Sequence, residues 1–399
     1  MQPLTRLKRK QVVLASIVAV VFLGMVVLSI VMSVMHVRSA SSFAHGWGTN
    51  RRIGATPEPA ERQIQQGALG AYPMFTPSGN NSNTAQWIDT AQAMGARAAL
   101  INNPAGAAVI QNFASFARAA GLKFGVSLSY NSNGTEIYND VFNARLVEII
   151  SNFNDIFEIR IEGDIEHDVF TRFLQTVRYH SPYVVVTADT LQADVLLLTQ
   201  PPSGAVFNVH GSLYRPHQLV QNMPGSATAL TSLYLNTVGR NMTLLLNVPV
   251  NAAGIIEKVY VNRLEQLAIN VAEKFENPLD FEVRTGGRNI ADIEFTTINF
   301  EETDLSLARH EFIIDVRLAR TQRVNFLIIE ESPANSQRIE SIRIYAHNNG
   351  NFVRLESRAF VGQKAIFDFP FLLTPITDNI RIVVLQSRDT PIIGNIAVF

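Results

Sequence analysis

No cysteine occurs among the 399 residues, so no disulfide frames this chain, and a domain this large buries enough core to do without one. Charge is sparse too. Asp, Glu, Lys and Arg make up 17% and leave a net charge of -1 at neutral pH. Near-neutrality, with no basic stripe interleaved with aromatics, excludes nucleic-acid binding. Histidine is missing from Gly46 to Glu166, and Asp and Glu are both missing from Val195 to Ile256. His210 and His217 have no third ligand nearby, which argues against a metal site. The isolated glycines, including that of GSATALTS, form no phosphate loop, and no cofactor is implied.

Apolar residues, at 47%, are what the chain has in quantity. Val12 to Met35 runs 24 residues without a charge, and about 20 apolar residues span a bilayer core. Arg6, Lys8, Arg9 and Lys10 precede this run and Arg38 follows it. The excess of positive charge predicts a single-pass type II anchor, with a cytosolic tail over 1–11 and the rest on the exoplasmic side. A cleaved signal peptide is the alternative, but its apolar region is normally about 7 to 15 residues. Residues 36–60, rich in Ser, Gly, Pro and Arg, read as a stalk. The exoplasmic side is a cell surface, an organelle lumen or a virion interior. Asn80, Asn133 and Asn241 begin N-x-S/T sequons, which are candidate glycosylation sites there.

Two regions follow. Over 61–274, helical stretches (TAQWIDTAQAMGA, AAVIQNFASFARAAG, YNDVFNARLVEIISNF, HDVFTRFLQTVRYH) alternate with short apolar strands (RAALI, KFGVSLSY, IFEIRIE, YVVVTAD). This alternation predicts a parallel sheet closed into a (β/α) barrel. Over 278–399 the helical period vanishes. RVNFLIIEE, RIESIRIYAH, KAIFDFP and NIRIVVLQS predict an antiparallel β-sandwich.

The order of these segments resembles one family. ERQ at 61–63, MGARAALI at 94–101, GLKFGVSLS at 121–129, IFEIRIEG at 156–163 and, most specifically, VGRNMTLLLNVPVNAAG at 238–254 are similar to the α-L-fucosidases. These are retaining glycosidases built on a (β/α) barrel. The C-terminal segments at 336–355 and 380–399 also resemble that family's terminal β-sandwich, which is like galactose-binding modules. The resemblance implies a barrel followed by a sandwich over 61–399.

The same resemblance implies a degenerate active site. The family carries a histidine shortly after the first barrel strand, where this chain reads GALGAYPMFTP. A His-His-Asp-Gly-Phe segment is expected after MGARAALI, where this chain reads NNPAGAAVIQNF. The nucleophile motif Trp-Phe-Asp-Gly corresponds to Arg160-Ile161-Glu162-Gly163. The Pro-Gly-Trp-Phe-Tyr-His-Pro segment corresponds to HGSLYRP at 210–216. Glu162 is therefore the candidate nucleophile, but its added methylene displaces the carboxylate by about 1 Å, a shift that costs on the order of a hundredfold. Arg160 would hold it in an ion pair. Glu158, Arg160 and Glu162 then read as a charge-paired layer inside the barrel.

A retaining glycosidase needs a second carboxyl about 5 to 5.5 Å away, and the carboxylate-free stretch empties that half of the barrel. Asp164, Glu166 and Asp168 lie on the loop beyond the strand, where Asp164 or Asp168 would cap the next helix. Ser127, Ser129 and Tyr130 end another strand without a base beside them.

These residues predict a membrane-anchored pseudoenzyme with a structural, scaffolding or adhesive role, working through protein partners or copies of itself. Two alternatives stand beside it. One is a lectin-like protein whose C-terminal sandwich or remnant pocket binds a glycan without cleaving it, with Tyr345, Phe352 and Phe360 as candidate platforms that otherwise read as core. The other is an active α-L-fucosidase with Glu162 as nucleophile.

Overall fold

The computed structural model describes residues 71–75, 83–130, 136–182, 184–190, 192–199, 217–285, 288–289, 298–299, 312–331, 338–358, 360–362, 364–370, 374–387 and 391–399. The expected membrane span at 12–35, the stalk, His210, Asn80 and Asn133 lie outside them. Among the described residues no helix is long and apolar enough to cross a membrane.

The first region is β1 (Ala71–Phe75), α1 (Thr84–Ala93), β2 (Ala98–Asn102), α2 (Ala107–Ala119), β3 (Lys123–Ser129), α3 (Glu136–Asn152), β4 (Glu158–Glu162), α4 (His167–His180), β5 (Val185–Ala188), β6 (Val195–Leu198), β7 (His217–Asn222), α5 (Ala227–Thr237), β8 (Met242–Val248) and α6 (Lys258–Phe275). The eight strands pair in parallel and in sequence order, and β8 returns to β1 to close the barrel.

The helices form where apolar spacing and caps coincide. In α2, Ile110, Phe113, Ala114 and Ala117 are buried at i, i+3, i+4 and i+7, the stripe that faces a sheet. The side chain of Asn83 accepts from Gln86 N to cap α1, and that of Ser226 accepts from Ala229 N to cap α5. The residue capping α4 is Glu166, without a side-chain bond, and Asp168 sits in the first turn. The expected cap by Asp164 or Asp168 is thus corrected. The loop holds Glu166 in the extended backbone of a cap position (φ -59°, ψ 143°), and Asp168 sits in the first turn, where a negative charge complements the helix dipole.

The second region is β9 (Phe281–Thr285), β10 (Arg288–Asn289), β11 (Ile298–Asn299), β12 (Phe312–Arg323), β13 (Phe326–Glu331), β14 (Ile339–Asn348), β15 (Asn351–Arg358), β16 (Ala365–Asp368), β17 (Ile376–Ser387) and β18 (Ile392–Val398). One antiparallel sheet has six strands in the order β10-β9-β12-β17-β14-β15, and the other has four in the order β11-β18-β13-β16. Ile314, Val316, Leu327, Ile329, Ile342, Ile344, Ile380 and Ile382 are fully buried between them. Period-2 alternation is plain on β14, where Ile342, Ile344 and Ala346 are buried while Arg343, Tyr345 and His347 are half-exposed.

The four-stranded sheet meets the barrel. Phe326, Ile328 and Ile366 pack with Tyr234, Leu235 and Phe275. Gly239 O accepts from Ile366 N at 2.8 Å and from Arg358 Nη1 at 3.0 Å, and Arg240 bridges to Ala365.

Candidate functional site at the barrel mouth

β4 (EIRIE) inverts the usual barrel pattern. Ile159 and Ile161 are buried against the helices, while the even positions Glu158, Arg160 and Glu162 share the other face of the strand and point inward. Glu158 and Arg160 are each only 2% exposed. Glu158 accepts from Gln218 Nε2 at 3.0 and 3.2 Å. Arg160 reaches Met74 Sδ on β1 with Nη1 at 3.3 Å and Glu162 Oε1 with Nη2 at 3.0 Å. Within the expected charge-paired layer, Arg160 pairs with Glu162 and Glu158 is held by the amide of Gln218. Burial of these groups is tolerable because each is hydrogen-bonded.

Glu162 ends β4 with its side chain 32% exposed, and Ser127 Oγ donates to the same Oε1 at 3.0 Å. The chain turns at once through Gly163, whose φ is +119°. A Cβ there would collide with Tyr130 O, so only glycine lets β4 pass this close to the end of β3. Tyr130 N donates to Glu162 O at 2.7 Å, which ties the two strand ends together.

Other strand ends carry neutral polar groups. Asn103, at φ +43°, clips β2 to β3: its Nδ2 donates to Ser129 Oγ at 2.6 Å and its Oδ1 accepts from Ser129 N at 2.7 Å. Asn247 Nδ2 donates to Asn222 Oδ1 at 3.0 Å, which links β8 to β7. Asn102 Oδ1 and Thr187 Oγ1 are buried without a hydrogen-bond partner. Ser127 and Glu162 are thus brought together, while Asp164 and Glu166 stay exposed on the loop and Asp168 is exposed in the first turn of α4. His217, the first residue of β7, is buried at the opposite end of its strand. Among the described residues no cluster of His, Asp or Glu is placed to hold a metal ion.

Asp189 escaped the sequence reading. The register sets Arg160 beside Thr187, the last pair of that ladder, and Asp189 follows two residues on, directly after β5 and exposed. Its signal was an acidic residue at the end of the apolar run YVVVTAD. Gln218 and Thr187 were missed as well, because nothing in a short apolar strand marks which polar residue points into a barrel.

No family model matches the chain. It is 22% identical over 349 residues to Alpha-L-fucosidase 1 of Arabidopsis thaliana, across 73% of this chain and 68% of that protein. Among solved structures, SpGH29 superposes with a TM-score of 0.71 at 15% identity, covering 86% of this chain and 98% of that one. A Ruminococcus gnavus GH29 fucosidase in complex with fucose gives 0.69 at 16%, covering 86% and 94%. The chain is α-L-fucosidase-like in sequence and in fold.

In this fucosidase-like frame the segment 238–254 makes structural contacts. Asn241 has φ +63°, and its side-chain amide lies against Gly362 of the sandwich, where a Cβ would collide with it. A glycan on Asn241 would require that junction to open. Further along, Asn251 Oδ1 accepts from Ala253 N at 2.9 Å and Ile255 N at 3.1 Å, and Trp87 Nε1 donates to Gly254 O at 2.7 Å.

Proposed function

We propose that this fucosidase-like chain does not hydrolyse glycosides. In this reading it is held on a membrane by residues 12–35, presents barrel and sandwich on the exoplasmic side, and serves as a scaffold or adhesive surface for partner proteins or copies of itself. One observation carries it. The carboxylate at the nucleophile position, Glu162, has its Oε1 engaged by both Arg160 and Ser127, and no Asp or Glu follows between Val195 and Ile256 to act as the acid. A nucleophile tied to a buried guanidinium must break that pair to attack, and an unassisted leaving group adds a further barrier.

A second reading, hydrolysis with Glu162 as nucleophile, draws on Asp189. Neighbouring strands lie about 4.8 Å apart, close to the separation of about 5 to 5.5 Å that a retaining pair uses. The test is hydrolysis of an aryl α-L-fucoside by the full chain beside Glu162→Gln and Asp189→Asn. We expect no turnover above that of the variants. Turnover by the native chain that disappears in both variants would overturn the non-hydrolysing reading.

A further inference from the structure

We propose that the outer face of the six-stranded sheet binds a sulfated polysaccharide. This face lies away from the barrel mouth and is independent of the function proposed above. The barrel is met by the four-stranded sheet, through Phe326, Ile328 and Ile366. Tyr345 and Phe352, expected either as sugar platforms or as core, are both half-exposed and belong to no core cluster. Tyr345 stands on β14, one strand in from the β15 edge of the sheet. On one side it pairs in register with Arg381 of β17 and on the other with Arg354 of β15. Arg343, two residues back on β14, shares its face. With strands about 4.8 Å apart, Arg381 and Arg354 flank the phenol at a mutual backbone separation of about 10 Å.

The charge on this face is unbalanced. Arg381 is held by both oxygens of Asp315, at 2.7 and 2.9 Å, and its guanidinium lies 3.9 Å from the Phe352 ring centroid. Arg284 pairs with Glu282 at 2.6 Å, and His347 Nδ1 meets Asp378 Oδ1 at 3.0 Å. Arg317, Arg343 and Arg354 have no carboxylate partner among the described residues. A chain with a net charge of -1 thus sets two such guanidinium groups, Arg343 and Arg354, beside one aromatic ring.

Guanidinium forks match the tetrahedral oxyanion of a sulfate ester in paired hydrogen bonds, which a lysine cannot reproduce. A tyrosine ring supplies flat apolar area with a polar tip, which suits a sugar ring carrying those sulfates. Guanidinium groups spread over neighbouring strands suit an extended polymer rather than a single small anion.

The test measures binding of the full-length chain, in detergent, to a heparin-type sulfated polysaccharide, to its chemically desulfated form and to poly-glutamate. We expect binding to the sulfated polymer at least about tenfold tighter than to either of the others, because charge-assisted hydrogen bonds to sulfate would be lost. Arg343→Ser with Arg354→Ser should weaken it by about tenfold or more, and the corresponding double lysine variant by less, since charge remains but the fork is gone. Glu162→Gln should bind as the native chain does. Equal affinity for poly-glutamate would overturn the proposal in favour of indifferent polyanion attraction. No binding, or a double serine variant that binds as the native chain does with an unchanged unfolding midpoint, would also overturn it.

Discussion

The junction between barrel and sandwich and the mouth of the barrel are built on different terms. At the junction, backbone shape is the constraint. Gly239 has no room for a Cβ beside Leu235 O and Ile366, and Gly362 (φ +61°) and Asn241 (φ +63°) lock against each other. Glu331, 2% exposed, accepts from Arg338 N at 2.7 Å, Ile339 N at 2.9 Å and Gly362 N at 2.7 Å. At the mouth, by contrast, polar side chains end strands whose pairing is complete without them. Asn102, Ser129 and Glu162 are all partly or fully exposed. A residue that holds backbone in a rare conformation resists replacement, whereas one that faces a solvent-filled opening can change with little cost to the fold.

The largest effect is expected at the junction. Gly239→Val forces a branched side chain between Leu235 O and Ile366 and should lower stability by about 3 kcal/mol or more, read as the midpoint of thermal unfolding. A near-native midpoint would mean that the junction is looser than its packing implies.

A direct contrast comes next. Glu331→Gln replaces an ionised acceptor of three backbone N–H groups with a neutral amide, at a cost of about 2 to 3 kcal/mol. Glu162→Gln removes one partner of a pair that is 3% exposed on the arginine side and 32% on the glutamate side, and should cost about 1 to 2 kcal/mol because water reaches the carboxylate. If Glu162→Gln proved the more damaging in urea unfolding, the mouth would be as structural as the junction and the contrast would fail.

The smallest effect lies at the rim of the barrel. The Arg118 guanidinium beside Asp155, at 2.5 Å, holds that carboxyl below its ordinary value. A lowered carboxylate contributes stability above its unfolded pKa of about 3.9 and loses it as pH falls through the folded value. The pair is more than 40% exposed on both sides, so Arg118→Ala should cost under about 1 kcal/mol at pH 7 and nothing measurable once the carboxyl is protonated. A deficit that persisted at that acidic pH would point to the stacking of Arg118 on Phe124, 5.4 Å from its ring centroid, instead of to charge.

Much of the fold was legible because local pattern and packing agree. The stripe of Ile110, Phe113, Ala114 and Ala117 marks a helix wherever it packs, and the alternation of Arg343, Tyr345 and His347 with Ile342, Ile344 and Ala346 fixes one face of a strand. Parts of the mouth were legible too. Two-residue periodicity set Glu158, Arg160 and Glu162 on one face, and the pairing of the last two followed. Asp189 and Gln218 were not legible, since each belongs to the site only through a strand from a different part of the chain. Gln218 meets Glu158 across 60 positions of sequence.

By itself, then, the sequence determined the elements, their order and the inward face of β4, because periodicity and capping act over a few residues. Tertiary structure alone decided which groups share a surface. It closed β8 onto β1, set Arg160 beside Thr187, and gathered Arg343, Arg354 and Arg381 around Tyr345. Strand register is a property of pairs of distant segments, and no single stretch of chain contains it.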